Sequence, residues 1–136
     1  MGARFELEPG ENVLADTRRH GLQGKRIKFP VITRCVLTDR RFVFFDLGRM
    51  APFYMQLGFL LRPLVKGAPV SLPLDGMRVS RGVYFRNRNL LELESQNGSS
   101  VLLDRFEKSL EWLREILHNS GYGLTPTGGE EWMVAL

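Results

Sequence analysis

Between Asn12 and Leu103 apolar residues arrive in short runs, often at every second position, and turn formers separate the runs. That spacing predicts strands. Seven are read, over residues 12–19, 25–37, 41–47, 70–74, 77–86, 90–95 and 100–103, with Pro30 marking an edge or a bulge in the second. The third, RFVFFDL, is dense in β-branched and aromatic residues. His20–Gly24, Thr38-Asp39, Asp75-Gly76 and Asn87-Arg88-Asn89 supply loops and turns. Asn97-Gly98 predicts a type I′ hairpin turn, with both central residues at positive φ.

After Leu103 the period changes. Asp104-Arg105-Phe106-Glu107 reads as a capping box, and Phe106, Leu110, Leu113 and Leu117 then fall on one helical face widened by Trp112 and Ile116. Gly121 and Gly123 can end that helix. The remaining residues are Gly- and Thr-rich, then apolar at Trp132, Met133, Val134 and Leu136. A loose tail and a docked one both fit this pattern. The expected organisation is one domain over residues 1–120 and a tail over 121–136, without repeats or low-complexity segments.

One segment breaks the strand pattern. Residues 48–69 form an insert between the third and fourth strands, and Met50 to Leu61 carries no charge. Read as a helix from Pro52, it places Met50, Phe53, Tyr54, Leu57, Leu60 and Leu61 on one face. Ala51, Met55, Gln56 and Phe59 occupy the other, where a surface helix needs a polar back. One flank can pack on the domain, and the other needs a cover. The rest of the protein, a second copy of the chain, or a bilayer can each supply it. Arg49, Arg62 and Lys66 bracket the segment, which suits anionic headgroups.

Charge sharpens the picture more than composition does. The chain is 136 residues long with a net charge of +4. Through Arg88 there are 16 Lys/Arg against 7 Asp/Glu; from Asn89 onward there are 3 against 8. The first part can attract anionic lipid or nucleic acid, although many of these charges also serve as solvated strand faces. Lys25, Arg26 and Lys28 open the second strand, and Arg18 and Arg19 lie across the same hairpin. Together they make a candidate headgroup site, or a charged face that prevents edge pairing.

Catalysis is the class these residues support least. His20 and His118 have no metal-spaced partner, and no phosphate-cradling, dinucleotide-binding or nucleophile-elbow motif occurs. No metal or cofactor is expected. Cys35 is the one cysteine, set among Val31, Ile32, Val36 and Leu37, and reads as a packed thiol in a reducing compartment. The N-terminus lacks the apolar core of a signal peptide, so a cytoplasmic location is expected, with any membrane contact peripheral.

Seven short strands closed by one amphipathic helix is the layout of the pleckstrin-homology (PH) superfold. The segments GENVLAD, TRCVLTDRRFVFFD, VSLPLDGMRVS and LLELESQNGSSVLLDRFEKSLEWLREIL resemble the GRAM and bacterial PH-like families. The likeness rests on Gly10-Glu11, Leu37-Thr38-Asp39-Arg40-Arg41, Ser71-Leu72-Pro73-Leu74, Asn97-Gly98 and Trp112, and spans about residues 10–118 outside the insert. It implies a mainly β, bent antiparallel barrel capped by one C-terminal helix. It also implies a non-catalytic module that binds lipid or protein. The expected function is peripheral association with anionic membrane through the insert and the basic first hairpin. The alternative is a protein-interaction or homo-oligomer interface built on the insert. Nucleic-acid binding, with Phe29 or Tyr84 stacking on bases, ranks last, because a small barrel needs most of its aromatics in the core.

Overall fold

A computed structural model of the chain describes residues 6–22, 31–46, 68–84 and 86–135. The strands are β1 (Val13–Leu22), β2 (Val31–Thr38), β3 (Arg41–Asp46), β4 (Ala68–Pro73), β5 (Arg78–Tyr84), β6 (Asn87–Glu94) and β7 (Ser100–Asp104). Helix α1 (Phe106–Asn119) follows, then β8 (Gly123–Pro126) and β9 (Glu131–Ala135). All pair antiparallel in the order β4-β3-β2-β1-β7-β6-β5-β9-β8. The β1–β7 seam consists of Gly21↔Leu103 and Leu22↔Leu102. A first half-sheet, β4 to β1, therefore joins a second, β7 to β8, only at the end of β1.

Alternation decides what each half-sheet buries. Cys35, Leu37, Phe42, Phe44 and Leu72 point inward from the first, and Val79, Leu91, Leu93, Val101 and Leu103 from the second. Phe106, Leu110, Leu113 and Leu117 of α1 close the same core, along the stripe that the helical spacing predicts. Cys35 is buried there, as its apolar neighbours imply.

The helix start departs from the capping-box reading. Asp104 is the last residue of β7, paired with Leu90, so it is committed to the sheet. Arg105 takes the cap position at φ 61°, without a side-chain cap bond, and Asn89 of β6 instead accepts from the Phe106 amide at 3.1 Å. At the other end Gly121 turns the chain at φ 89° while the Tyr122 amide reaches back to the Leu117 carbonyl.

Two turns also differ from expectation. In the Asn97-Gly98 hairpin only Gly98 has positive φ, at 88°. Its amide donates to the Ser95 carbonyl, and the Ser95 amide to the Ser99 carbonyl. This is a type I turn followed by a glycine bulge, the three-residue solution to the same reversal. The preceding hairpin turns earlier than Asn87-Arg88-Asn89, since Tyr84 already pairs with Asn87.

Nine strands are described where the sequence reading counts seven. The added pair comes from the tail, which docks. β9 pairs with β5 through Arg78↔Met133, Val79↔Trp132 and Ser80↔Glu131. Val134 is fully buried, and Trp132 stacks near Phe106 at 6.2 Å between ring centres. Arg81 ties the hairpin down through Glu130. Truncating Val134 to alanine is expected to lower unfolding free energy by about 2 kcal/mol, measured by urea denaturation; a loose tail gives no change.

Both outer strands are blunted. In β4 the alternate residues Pro69, Ser71 and Pro73 turn their backbone groups away from β3. Two of these have no amide hydrogen, and the outward Ser71 carbonyl already accepts from Asn97 Nδ2 at 3.0 Å. In β8, Thr127 bonds inward to Glu131, so the backbone groups of Leu124 and Pro126 point away from β9, and Pro126 again cannot donate. Backbone pairing with another chain has little to hold on either edge.

Candidate functional site

β1 and β3 run in the same direction, both antiparallel to β2. The first half-sheet therefore has two ends of different kinds. At one end lies the β2–β3 turn. At the other, the β1–β2 and β3–β4 connections leave side by side, from the pairs Gly21↔Val31 and Asp46↔Ala68.

The turn end is closed by a polar network. The Glu11 carboxylate, in a residue only 6% exposed, accepts from Thr38 Oγ1 at 2.6 Å, Arg41 Nε at 2.9 Å, Arg41 Nη2 at 3.0 Å and the Glu8 amide at 2.9 Å. The Arg41 bond chiefly holds the Glu11 pKa down to about 2, against the opposing effect of burial. Arg41 also donates to Ser71 Oγ and the Glu6 carbonyl. Arg40 donates to Glu8 and the Pro9 carbonyl. Asn12 and Asp39 exchange backbone and side-chain bonds, and Tyr122 Oη donates to the Asp39 carbonyl at 2.9 Å. Among the described residues no buried side-chain polar atom lacks a partner.

This network gives Gly10-Glu11 and Leu37-Thr38-Asp39-Arg40-Arg41 a physical meaning. They are the two halves of one clasp, which pins the segment before β1 onto the β2–β3 turn. Their arginines are committed to the fold. Sequence reasoning quoted both motifs without seeing that they meet; the complementary charge of Glu11 and Arg41 was the available signal.

Of the site residues expected from sequence, two lie on β1 toward the other end. Arg18 is exposed on β1, opposite Arg34 of β2. Arg19 is also on β1, at the register position of Thr33. Lys25, Arg26 and Lys28 belong to the β1–β2 connection and lie outside the described residues. So do Arg49, Phe53, Tyr54, Met55, Phe59, Leu60, Leu61, Arg62 and Lys66 of the β3–β4 connection, and with them the helical reading of the insert. The insert's expected limits shift slightly, because Ala68 and Pro69 already belong to β4.

Arg34 was not singled out from sequence. Its guanidinium grips Asp16 with two bonds, at 2.9 and 2.7 Å, and its carbon Cζ stands 5.0 Å from the centre of the Phe45 ring. The Arg34 bond chiefly lowers the Asp16 pKa, and Arg18 adds to the effect. The inward positions of Cys35 and Leu37 imply that Arg34 points outward, but its pairing with Asp16 depends on register. Arg34 is thus neutralised locally, while Arg18 has no ion-pair partner among the described residues.

Among the described residues this end offers charge, on exposed Arg18 and on the Arg34–Asp16 pair. Among the described residues no group of His, Cys, Asp and Glu could hold a metal ion. No described helix is long and apolar enough to cross a membrane.

No protein-family model matches the chain, and no curated protein matches it. Among solved structures it is similar to the crystal structure of the pleckstrin homology domain of ArhGAP27, at 20% identity and a TM-score of 0.45. The match covers 81% of this chain and 98% of that one. Likeness at this level leaves function to be argued from the residues themselves.

Proposed function

We propose that the chain is a non-catalytic, PH/GRAM-like module that sits on the cytoplasmic face of anionic membrane. The contact is the apolar β3–β4 connection, assisted by the basic β1–β2 connection. One observation carries this reading: the two connections leave the same end of the half-sheet, while the arginines at the opposite end are consumed by the Glu11 clasp. Apolar residues that enter the interface and basic residues that meet headgroups must act together, which requires them to be neighbours.

The test is co-sedimentation with vesicles of neutral phosphatidylcholine, with and without phosphatidylserine. Binding is expected with the anionic lipid and is expected to fall as salt rises. Equal recovery with both lipids, or none with either, contradicts the proposal.

The competing reading makes the β3–β4 connection a protein or homo-oligomer interface. The blunted β4 and β8 edges confine such a partner to side-chain contact. Light scattering separates the two: a mass that rises with concentration and returns to the monomer value in Phe59→Asp favours the interface.

A further inference from the structure

Most arginines on the described strands are spent on neighbours. Arg34 holds Asp16, Arg78 faces Glu94, and Arg81 holds Glu130. Arg41 belongs to the clasp, and Arg40 bonds beside it. Arg18, Arg86, Arg88 and Arg105 differ. All four are exposed, and none has an ion-pair partner among the described residues.

The topology gathers these four near the seam between the half-sheets. Gly21↔Leu103 sets β1 on one side of β7, and Leu90↔Asp104 sets β6 on the other. Three residues back along β1 give Arg18, and two back along β6 give Arg88. β7 runs the same way and ends next to Arg105. Asn89 accepts from the Phe106 amide at 3.1 Å, which ties the segments carrying Arg88 and Arg105 together. That amide is thereby taken, so the cluster is built of side chains. Arg86 lies in the hairpin closed by Tyr84↔Asn87. Arg81 donates to the Arg88 carbonyl at 3.0 Å and fixes the backbone there. The acids nearest in sequence are Asp104 and Glu107, so positive charge is in excess.

Arg105 adds a second observation. It is the one non-glycine residue with positive φ among those described, at 61°. Glycine or asparagine holds that conformation at less cost. The Arg105 side chain makes no cap bond to the helix that follows. An exposed arginine kept in a strained conformation points to a use for its guanidinium.

We infer that this arginine cluster binds a ligand carrying two or more phosphate groups. Guanidinium forks match phosphate oxygens. At the seam β1 and β6 stand two strand spacings apart, about 10 Å, so a ligand with several phosphates meets both sides better than one with a single phosphate. Lipid headgroups and soluble polyphosphates both carry this chemistry. The cluster lies on the described body and needs no membrane to act; where the source is a lipid, it names the headgroup.

Calorimetric titration of the full chain with inorganic tripolyphosphate, at constant ionic strength, tests the site without lipid. Binding is expected, and Arg88→Ala and Arg105→Gly are each expected to weaken it on the order of tenfold. Arg105→Gly should keep or raise the Tm, because glycine relieves the strained φ. Arg40→Ala removes the same charge beside the clasp and should leave binding within about twofold. No binding by the parent overturns the inference. So does unchanged affinity in either cluster variant, or an equal loss in Arg40→Ala, which marks diffuse attraction. Vesicles carrying a bisphosphorylated inositol lipid then identify the source. Tighter binding than to phosphatidylserine at equal surface charge, lost in Arg88→Ala, assigns a headgroup; equal binding to the two assigns a soluble polyphosphate. A positive titration without vesicle binding upholds the site and removes only the membrane reading.

Discussion

Arg41→Met is expected to lower the unfolding free energy by on the order of 3–5 kcal/mol, because it strands a buried carboxylate. In a domain of this size that corresponds to a fall in Tm on the order of 10 °C or more. Glu11 has four donors in the native clasp, two of them from Arg41. Methionine keeps the apolar stem of the side chain and removes both. The double variant Arg41→Met, Glu11→Leu is expected to recover much of the loss, because a buried apolar pair replaces a buried ion pair at little net cost. Acid should reproduce the single variant. The native pKa of Glu11 is about 2, below its ordinary 4.5. Its contribution is therefore complete above about pH 4.5 and is lost as pH falls through about 2. Integrated over that shift it is on the order of 3 kcal/mol. Urea denaturation from pH 7 to pH 2 checks both points. A single variant as stable as the parent contradicts the clasp, and so does a double variant that keeps the Glu11-dependent acid loss.

Vesicle affinity is expected to fall about 100-fold when Lys25, Arg26 and Lys28 are all changed to alanine. Each basic residue near an anionic surface contributes about 1 kcal/mol, and 1.4 kcal/mol is a factor of ten. The remaining binding should depend less steeply on salt. Phe59→Asp should reduce binding by a similar factor for a different reason, since it removes apolar area and places a negative charge among headgroups. Arg40 and Arg41 are basic too, but the clasp holds them at the opposite end of the half-sheet. Arg40→Ala should leave vesicle binding within about twofold of the parent, since exposed pairs such as Arg40–Glu8 contribute little. Titrating each variant with phosphatidylserine vesicles measures all three. Equal affinity in the triple variant and the parent removes the basic hairpin from the account.

What could be read from sequence was what local pattern encodes. The α1 stripe and the glycine demanded at Gly98 each follow from nearby residues alone. The tail was ambiguous because β9 is specified by its partner: Trp132 and Val134 become strand residues only when the β5 edge is there to pair with them. The capping box failed for the same reason. Asp104 fits a helix start locally, but its pairing with Leu90 decides the matter. In the candidate site, Arg18 was legible as a charge on a hairpin. The neutralisation of Arg34 by Asp16 needed the β1–β2 register.

The most direct measurement places a reporter in the proposed contact. A Phe59→Trp variant, with native Trp112 and Trp132 as the parent background, is mixed with anionic vesicles containing brominated acyl chains. Contact predicts a blue-shifted emission and bromine quenching beyond those of the parent protein, both absent with neutral vesicles. Emission and quenching identical to the parent, under conditions where the protein sediments with the vesicles, contradict the account.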